Sequence, residues 1–202
     1  MKPKNNIFTS ALILAAGESK RMGKTKLILP IDKQSILNRT ISNVISSSLN
    51  EVVVVIGCKA NVLTDEIRSL GVKIVLNPNF KEGLSTSIIS GLNQISERSE
   101  AFMVILGDQP FIGSVIINKI INKFKESKKG IVAPSYNGKL GHPVIFSLKY
   151  KEEFFKLKGD VGGKAIIQMY KNDVMDVPVS SEKILIDIDT PEDYRKYIKT
   201  NL

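Results

Sequence analysis

The sequence predicts a three-layer α/β/α fold with a mostly parallel mixed sheet, and three observations support this prediction. Residues 51–56 and 102–106 are short apolar runs of the kind that lie buried inside a parallel sheet. Longer segments between such runs carry apolar residues at helical spacing. The two patterns alternate along the first half of the chain, which is typical of parallel sheets with helices on both faces.

The first half of the chain supplies four predicted strands, each a short apolar run that ends at a loop or turn. In chain order they are residues 10–14, 51–56, 72–76 and 102–106. A helix is expected after each strand, because the apolar residues that follow recur every three or four positions. In chain order these helices are residues 36–48, 61–70, 83–95 and 115–124.

The last third is less regular but completes the same pattern. The predicted strands are residues 130–134, 144–146, 174–177 and 184–188, and the predicted short helices are residues 150–155 and 164–170. Thr190-Pro191 begins a final helix that runs to about residue 199, because Thr is a good N-cap and Pro suits the first helical position. No linker interrupts the chain, so we expect one domain over residues 1–202. Within it, residues 130–180 are a candidate lobe or lid over the site.

Composition and charge exclude several classes of protein. The chain has 202 residues, with 29 Lys and Arg against 20 Asp and Glu and a net charge of +9. The basic residues are scattered and Trp is absent, so nucleic acid is not an expected partner. No apolar run reaches the ~20 residues that cross a bilayer, so no membrane is expected either. Cys58 is the only cysteine, which excludes an internal disulfide and fits a cytoplasmic location.

The loop after the first strand carries the strongest functional signal. Leu14-Ala15-Ala16-Gly17 leads into a segment that contains Arg21, Lys24 and Lys26. The backbone N–H groups of such a small-residue loop form an anion-binding concavity, and Arg and Lys add positive charge. The loop therefore predicts a phosphate site, against the alternative of a tight turn with solvated lysines. It lacks the glycine patterns of a P-loop and of a dinucleotide fingerprint.

Carboxylates mark two further segments. Asp108 follows strand 102–106 directly, where ligands bind in open α/β sheets, and it can hold Mg²⁺ or cap local backbone in an Asx turn. Asp187 and Asp189 lie at alternate positions at the end of predicted strand 184–188 and so share a face. Asp189 also precedes the last helix, whose N-terminal dipole favours a negative charge. Asp108 and Asp189 together would make one Mg²⁺ site.

Two glycine-rich segments fall in the last third of the chain. Gly141-His142-Pro143 contains the only histidine, which excludes a multi-histidine metal site and leaves a structural role or a ligand contact. The segment 159–164, Gly-Asp-Val-Gly-Gly-Lys, includes Asp160, Gly162 and Lys164. Its backbone N–H groups and Lys164 are suited to a second anion, and the alternative is a mobile surface turn.

Taken together, these motifs resemble the MobA-like nucleotidyltransferases, and among them the MocA-type molybdenum cofactor cytidylyltransferases. The resemblance spans nearly the whole chain and includes Asn77-Pro78-x-Phe80-x-x-Gly83-Leu84-Ser85-x-Ser87. It implies a Rossmann-like nucleotidyltransferase fold. The guanylyltransferase branch typically has Ala-Gly-Gly where this chain has Ala15-Ala16-Gly17. The Ala-Ala-Gly form therefore resembles the CTP-using branch, in which the methyl group of Ala16 would narrow the base pocket and disfavour a purine.

The resemblance also implies roles for individual residues. The nucleotide would lie against Leu14, Ala15, Ala16, Gly17 and Ser85. Arg21 and Lys26 would bind the triphosphate, and Asp108 would complete the catalytic set. Asp108 and Asp189 would hold Mg²⁺, with Asp187 a less secure match. The acceptor would face His142, Asp160, Gly162 and Lys164.

The expected reaction is attack by a terminal phosphate of molybdopterin on the α-phosphorus of CTP, with release of pyrophosphate. A molybdenum hydroxylase would receive the product. Three alternatives remain at this point: a sugar or polyol phosphate as acceptor, GTP as donor, and a non-catalytic protein that hands cofactor to molybdenum hydroxylases. The sequence leaves the oligomeric state open.

Overall fold

The computed structural model describes residues 7–199, which form one eight-stranded sheet and a small separate hairpin. The ten strands are β1 (Thr9–Ala15), β2 (Pro30–Ile31), β3 (Gln34–Ser35), β4 (Glu51–Ile56), β5 (Lys73–Leu76), β6 (Ala101–Leu106), β7 (Ile131–Tyr136), β8 (Lys139–Leu140), β9 (Val144–Ser147) and β10 (Val174–Pro178). The order across the large sheet is β10-β7-β9-β6-β1-β4-β5, and β8 pairs with β7. Strand β9 runs antiparallel to β6 and β7, whereas β6, β1, β4 and β5 are parallel neighbours, as are β7 and β10.

Helices cover both faces of this sheet. They are α1 (Ile36–Ile45), α2 (Ala60–Ile67), α3 (Leu84–Leu92), α4 (Ser114–Glu126), α5 (Lys151–Phe155), α6 (Gly163–Met169) and α7 (Pro191–Lys199). Strand β1 shows how the layers form: Ala11 and Ile13 belong to the core beneath α1, α2 and α4, while Leu12 and Leu14 belong to the core beneath α3, α5 and α6. This alternation places one hydrophobic core on each side of the sheet, so the predicted three-layer fold is confirmed.

Most predicted elements are present with shifts of a few residues at their ends. The strand predicted over residues 184–188 is wrong. Residues 182–185 form a 3₁₀ turn, and the chain then crosses the carboxyl edge of the sheet without joining it. Ile184, Ile186 and Ile188 lie at every second position, which is the spacing typical of a strand. Instead, the buried Ile184 and Ile188 anchor the crossing, and the Ile188 N–H donates to the Asp108 carbonyl at 3.1 Å.

Three short strands were not predicted, namely β2, β3 and β8. Each has only two residues, too few for a periodic pattern to appear. The last helix begins as expected. The Thr190 N–H donates to the Asp193 carboxylate at 2.9 Å, and the Asp193 N–H donates to the Thr190 hydroxyl at 3.1 Å. No helix within residues 7–199 is long and apolar enough to cross a membrane.

Candidate nucleotidyl-transfer site

The site lies at the carboxyl edge of the sheet, where β1 and β6 end side by side. Leu14 pairs with Leu106 in the parallel ladder, and the Gly107 N–H donates to the Leu14 carbonyl at 3.0 Å. This pairing brings the loop that follows β1 next to Asp108, which follows β6. Two motifs separated by about ninety residues thus become neighbours, as expected for ligand sites in parallel sheets.

A cleft of 230 Å³ opens at this edge. Six of the residues predicted to contact the nucleotide line it: Leu14, Ala15, Ala16, Gly17, Lys26 and Asp108. The lining also includes residues that the sequence motifs contained but that were given no role, namely Phe80, Leu84 and Ser87. In the sequence, these residues are marked by the motif that begins at Asn77-Pro78. The buried Asn77 amide donates to the Ser87 hydroxyl at 3.0 Å and so fixes the start of α3.

Charged side chains converge beside the cleft. Lys26 Nζ lies 2.5 Å from Asp108 Oδ2 and 2.6 Å from Asp189 Oδ1. Arg21 Nη2 lies 2.7 Å from Asp189 Oδ2. One carboxylate oxygen from each of Asp108, Asp187 and Asp189 lies within 4.8 Å of the others. The two cations offset part of the repulsion that three close carboxylates create.

The pKa values of these groups follow from their surroundings. Burial lowers the pKa of Lys26, but the charges and hydrogen bonds of Asp108 and Asp189 outweigh it and raise that pKa above its usual range. Burial likewise opposes ionisation of Asp189, yet Lys26 and Arg21 hold the pKa of Asp189 below its usual range. Burial and the charges of Asp108 and Asp189 raise the pKa of Asp187. Asp189 is therefore the better anionic ligand of the two late carboxylates.

Arg21 and Ser85 lie outside the cleft lining. The Arg21 side chain is 70% exposed and reaches Asp189 from the solvent side. Ser85 is buried, and its hydroxyl donates to the Gly159 carbonyl at 2.9 Å. Ser85 thus holds the loop before α6 against the start of α3. Contact between Ser85 and a nucleotide stays a prediction.

The residues predicted to face the acceptor are divided between two cavities. His142 and Lys164 line a second cavity of 630 Å³, whereas Asp160 lines the first cleft. Gly162 lines neither and packs against Leu84, where a Cβ on the glycine would lie 2.7 Å from a Leu84 methyl carbon. Gln168 and Lys171 also line the second cavity and were missed, because their segment carried no motif.

The two cavities are adjacent along β6. Val104 lines the second cavity, while Leu106 and Asp108 line the first. His142 lies near this boundary. Its ring hydrogen-bonds to the Val104 backbone, and this bond and the negative charge of Asp108 both act to raise its pKa. Burial dominates and lowers the pKa of His142, so the ring is neutral at pH 7. Its Nδ1 atom is buried and has no hydrogen-bond partner within the described part of the chain.

This arrangement of loop, carboxylates and paired cavities agrees with a known sequence family. Residues 11–174 match the model of the MobA-like NTP transferase domain. The chain belongs to this family. The MobA-like match covers β1 through the start of β10 and includes both cavities, so the protein is a nucleotidyltransferase.

Curated relatives and solved structures share nearly the full length of this MobA-like chain. Molybdenum cofactor cytidylyltransferase of Escherichia coli (strain K12) is 28% identical over 184 residues, which is 91% of this chain and 92% of the relative. Purine catabolism protein PucB of Bacillus subtilis (strain 168) is 30% identical over 201 residues, covering 93% and 94% of the two chains.

The fold is shared with Rv0371c from Mycobacterium tuberculosis H37Rv. Its crystal structure superimposes with a TM-score of 0.87 at 25% identity and covers 96% of this chain and 98% of that one. A structure of Rv0371c in complex with manganese gives a TM-score of 0.83 at 23% identity, with coverage of 96% and 99%.

Proposed function

We propose that this MobA-like protein is a Mg²⁺-dependent cytidylyltransferase that moves CMP from CTP to the terminal phosphate of molybdopterin or the molybdenum cofactor. The observation that carries the proposal is the placement of Lys26, Asp108 and Asp189 at one sheet edge where two cavities meet. One cavity suits a donor and the other an acceptor. The molybdenum cofactor cytidylyltransferase relative matches almost end to end, which supports this substrate pair.

The carboxylates fit a divalent cation. Asp108 and Asp189 offer the hard oxygen ligands that Mg²⁺ prefers. Asp108 Oδ1 is buried without a hydrogen-bond partner among residues 7–199, so it retains a free lone pair for a ligand. Mg²⁺ bound there would neutralise charge on the α-phosphate and on the oxygen that attacks it. The manganese complex of Rv0371c is consistent with a divalent ion in such a fold.

The protein groups would act mainly by positioning and charge. Lys26 and Arg21 would turn from the carboxylates to the triphosphate and stabilise the departing pyrophosphate. Backbone N–H groups of the loop at Ala16 and Gly17 would hold phosphate oxygens. The methyl group of Ala16 lines the donor cleft, which supports a pyrimidine in preference to a purine.

In the reaction, a terminal phosphate oxygen of the acceptor attacks the α-phosphorus of CTP. A new P–O bond forms, the bond between the α-phosphorus and its bridging oxygen to the β-phosphate breaks, and pyrophosphate leaves with that oxygen. The attacking phosphate is already ionised near neutral pH, so no protein base is required. Holding two anions in line is then the main task of the site. A molybdenum hydroxylase that takes the dinucleotide product is the proposed recipient.

The test is a panel of CTP, GTP, ATP and UTP, each with Mg²⁺ and molybdopterin, scored by pyrophosphate release. We expect CTP to give the highest kcat/KM and Asp108→Ala to abolish release while the circular dichroism spectrum stays unchanged. Ribose 5-phosphate in place of molybdopterin tests the sugar-phosphate alternative. Preference for GTP, or equal turnover with ribose 5-phosphate, would reject the proposed substrates.

A further inference from the structure

The second cavity has two chemically different sides. Its floor is formed by apolar side chains of the sheet, among them Val104, Val144 and Phe146. The rest of the lining includes α6 and the residues just after it, which supply Lys164, Gln168 and Lys171 beside the apolar Ile167. No carboxylate lines this cavity, and neither lysine has an ion pair in the described structure. The cavity therefore suits an anion that also carries a flat apolar body.

The two lysines that line the cavity lie seven positions apart in the sequence. Lys164 follows Asp160 by four residues, and Asp160 lines the nucleotide cleft. Lys164 lies in α6, which ends at Met169, and Lys171 follows two residues later. At 1.5 Å per helical residue, the five steps from Lys164 to Met169 span about 7.5 Å, and the two further steps to Lys171 bring the separation to about 10 Å.

The sheet beneath gives a separate measure of how wide the cavity is. The lining extends from Val104 on β6 to Val174 on β10. These strands are separated by three steps in the order β6-β9-β7-β10, each of about 4.8 Å, so the floor is about 14 Å wide. Lys171 is three residues from Val174 and so marks the remote end. His142, near Asp108, marks the end beside the nucleotide.

We propose that Lys171 and Gln168 bind the end of the acceptor remote from its phosphate, and that this contact selects acceptors long enough to reach it. The inference rests on the proposed function, because it takes this cavity as the acceptor site. The acceptor's phosphate lies between Lys164 and the nucleotide cleft. About 10 Å away, a ring carbonyl or second anion of a flat heterocycle accepts hydrogen bonds from Lys171 and Gln168.

The same geometry disfavours short polyhydroxylated acceptors. A sugar or glycerol phosphate would reach Lys164 but not Lys171, and its hydroxyl groups would lose water against Val144 and Phe146 without gaining partners. A planar heterocycle buries its faces on this floor at no such cost.

The test compares two probes by equilibrium binding to the intact protein. One is a pterin with a phosphate ester on its side chain, followed by its own fluorescence; the other is ribose 5-phosphate, followed by calorimetry. Lys171→Met should weaken phosphopterin binding about tenfold, the cost of one charge-assisted hydrogen bond, and leave ribose 5-phosphate binding unchanged. Lys171→Arg should recover most of the loss. Lys164→Met should weaken both probes.

Lys33→Met is the matched control, because Lys33 is an exposed lysine in the turn between β2 and β3 and lines neither cavity. It should change neither affinity. The inference is overturned if Lys171→Met weakens both probes equally or neither, or if the unmodified protein binds the phosphopterin no better than ribose 5-phosphate. Failure of the proposed function is distinguishable, because it appears in the pyrophosphate assay, as no release, a preference for GTP or equal turnover with ribose 5-phosphate, and not in the binding assay.

Discussion

Lys26 neutralises the carboxylate cluster in this structure, and its removal gives a direct measure of that role. The Lys26 side chain is 12% exposed, and the side chains of Asp108 and Asp189 are 16% and 20% exposed. Lys26→Met leaves these carboxylates within 4.8 Å of each other and of Asp187. At an effective dielectric constant of about 20, two unit charges at that separation repel by about 3.5 kcal/mol. In the parent, the charge of Lys26 offsets this repulsion, and in the variant that charge is gone.

Partial exposure allows water to screen this repulsion, so we expect Lys26→Met to destabilise the protein by about 2–3 kcal/mol. For a chain of this length, such a change lowers Tm by about 5–10 °C. The assay is calorimetry at low ionic strength without divalent ions, then with increasing Mg²⁺ or Mn²⁺. Either ion should stabilise the variant more than the parent, because the ion then supplies the missing positive charge.

The matched control is Lys33→Met, an exposed lysine in the β2–β3 turn, which should leave both Tm and its metal dependence unchanged. The reasoning is refuted if Lys26→Met melts at the parent temperature. It is also refuted if Mg²⁺ and Mn²⁺ stabilise the variant and the parent equally, because Lys26 would then not share a site with the ion.

Three other changes have definite expected outcomes. Ala16→Gly should raise kcat/KM for GTP relative to CTP, because the methyl group that narrows the cleft is lost; an unchanged ratio in the pyrophosphate assay would remove Ala16 from base selection. Gly83→Ala should weaken nucleotide binding in calorimetry, because φ is +110° and the new Cβ would lie 2.2 Å from the Gly159 carbonyl carbon. Gly113→Ala, which has open space, is its control, and equal affinities in the two variants would contradict the argument. Asp173→Asn should destabilise the protein at pH 7, and the destabilisation should shrink progressively as pH falls below the ordinary carboxyl pKa to pH 3, measured by urea unfolding. Burial opposes ionisation of Asp173, but hydrogen bonds from Lys149 and Tyr150 lower its pKa, so its stabilisation is present above the ordinary carboxyl pKa and is lost as pH falls through the folded value. A loss that is equal at both pH values would show that the charge is irrelevant.

The sequence predicts the sheet well because its inner strands are uniformly apolar. Residues 51–56 are predicted and observed with the same bounds, since each end is set by polar residues or glycine. Residues 184–188 instead carry isoleucine at every second position, yet the chain there packs across the sheet edge and does not form a strand. Alternation reports which side chains are buried, but not whether a neighbouring strand is available to pair with the backbone.

The candidate site is predictable in its chemistry but not in its distances. Asp108 and the loop residues are recognisable because both follow buried strands, and parallel pairing then brings them together. The contact of Lys26 with both Asp108 and Asp189 depends on a loop and on a non-strand crossing, neither of which has a periodic signal. Lys171 could not be identified from the sequence for the same reason. It becomes a candidate only when α6 packs over β9 and forms the second cavity, which Lys171 lines.

The central claim is that the protein transfers the α-phosphate of CTP, as CMP, to a phosphorylated acceptor. The most direct measurement uses CTP labelled at the α-phosphate, with Mg²⁺ and molybdopterin, and follows the label by chromatography and mass spectrometry. The account predicts that the label moves into a CMP-linked acceptor in proportion to pyrophosphate released, and that Asp108→Asn stops both. Label that remains in CTP, or that appears only as free CMP, would contradict it.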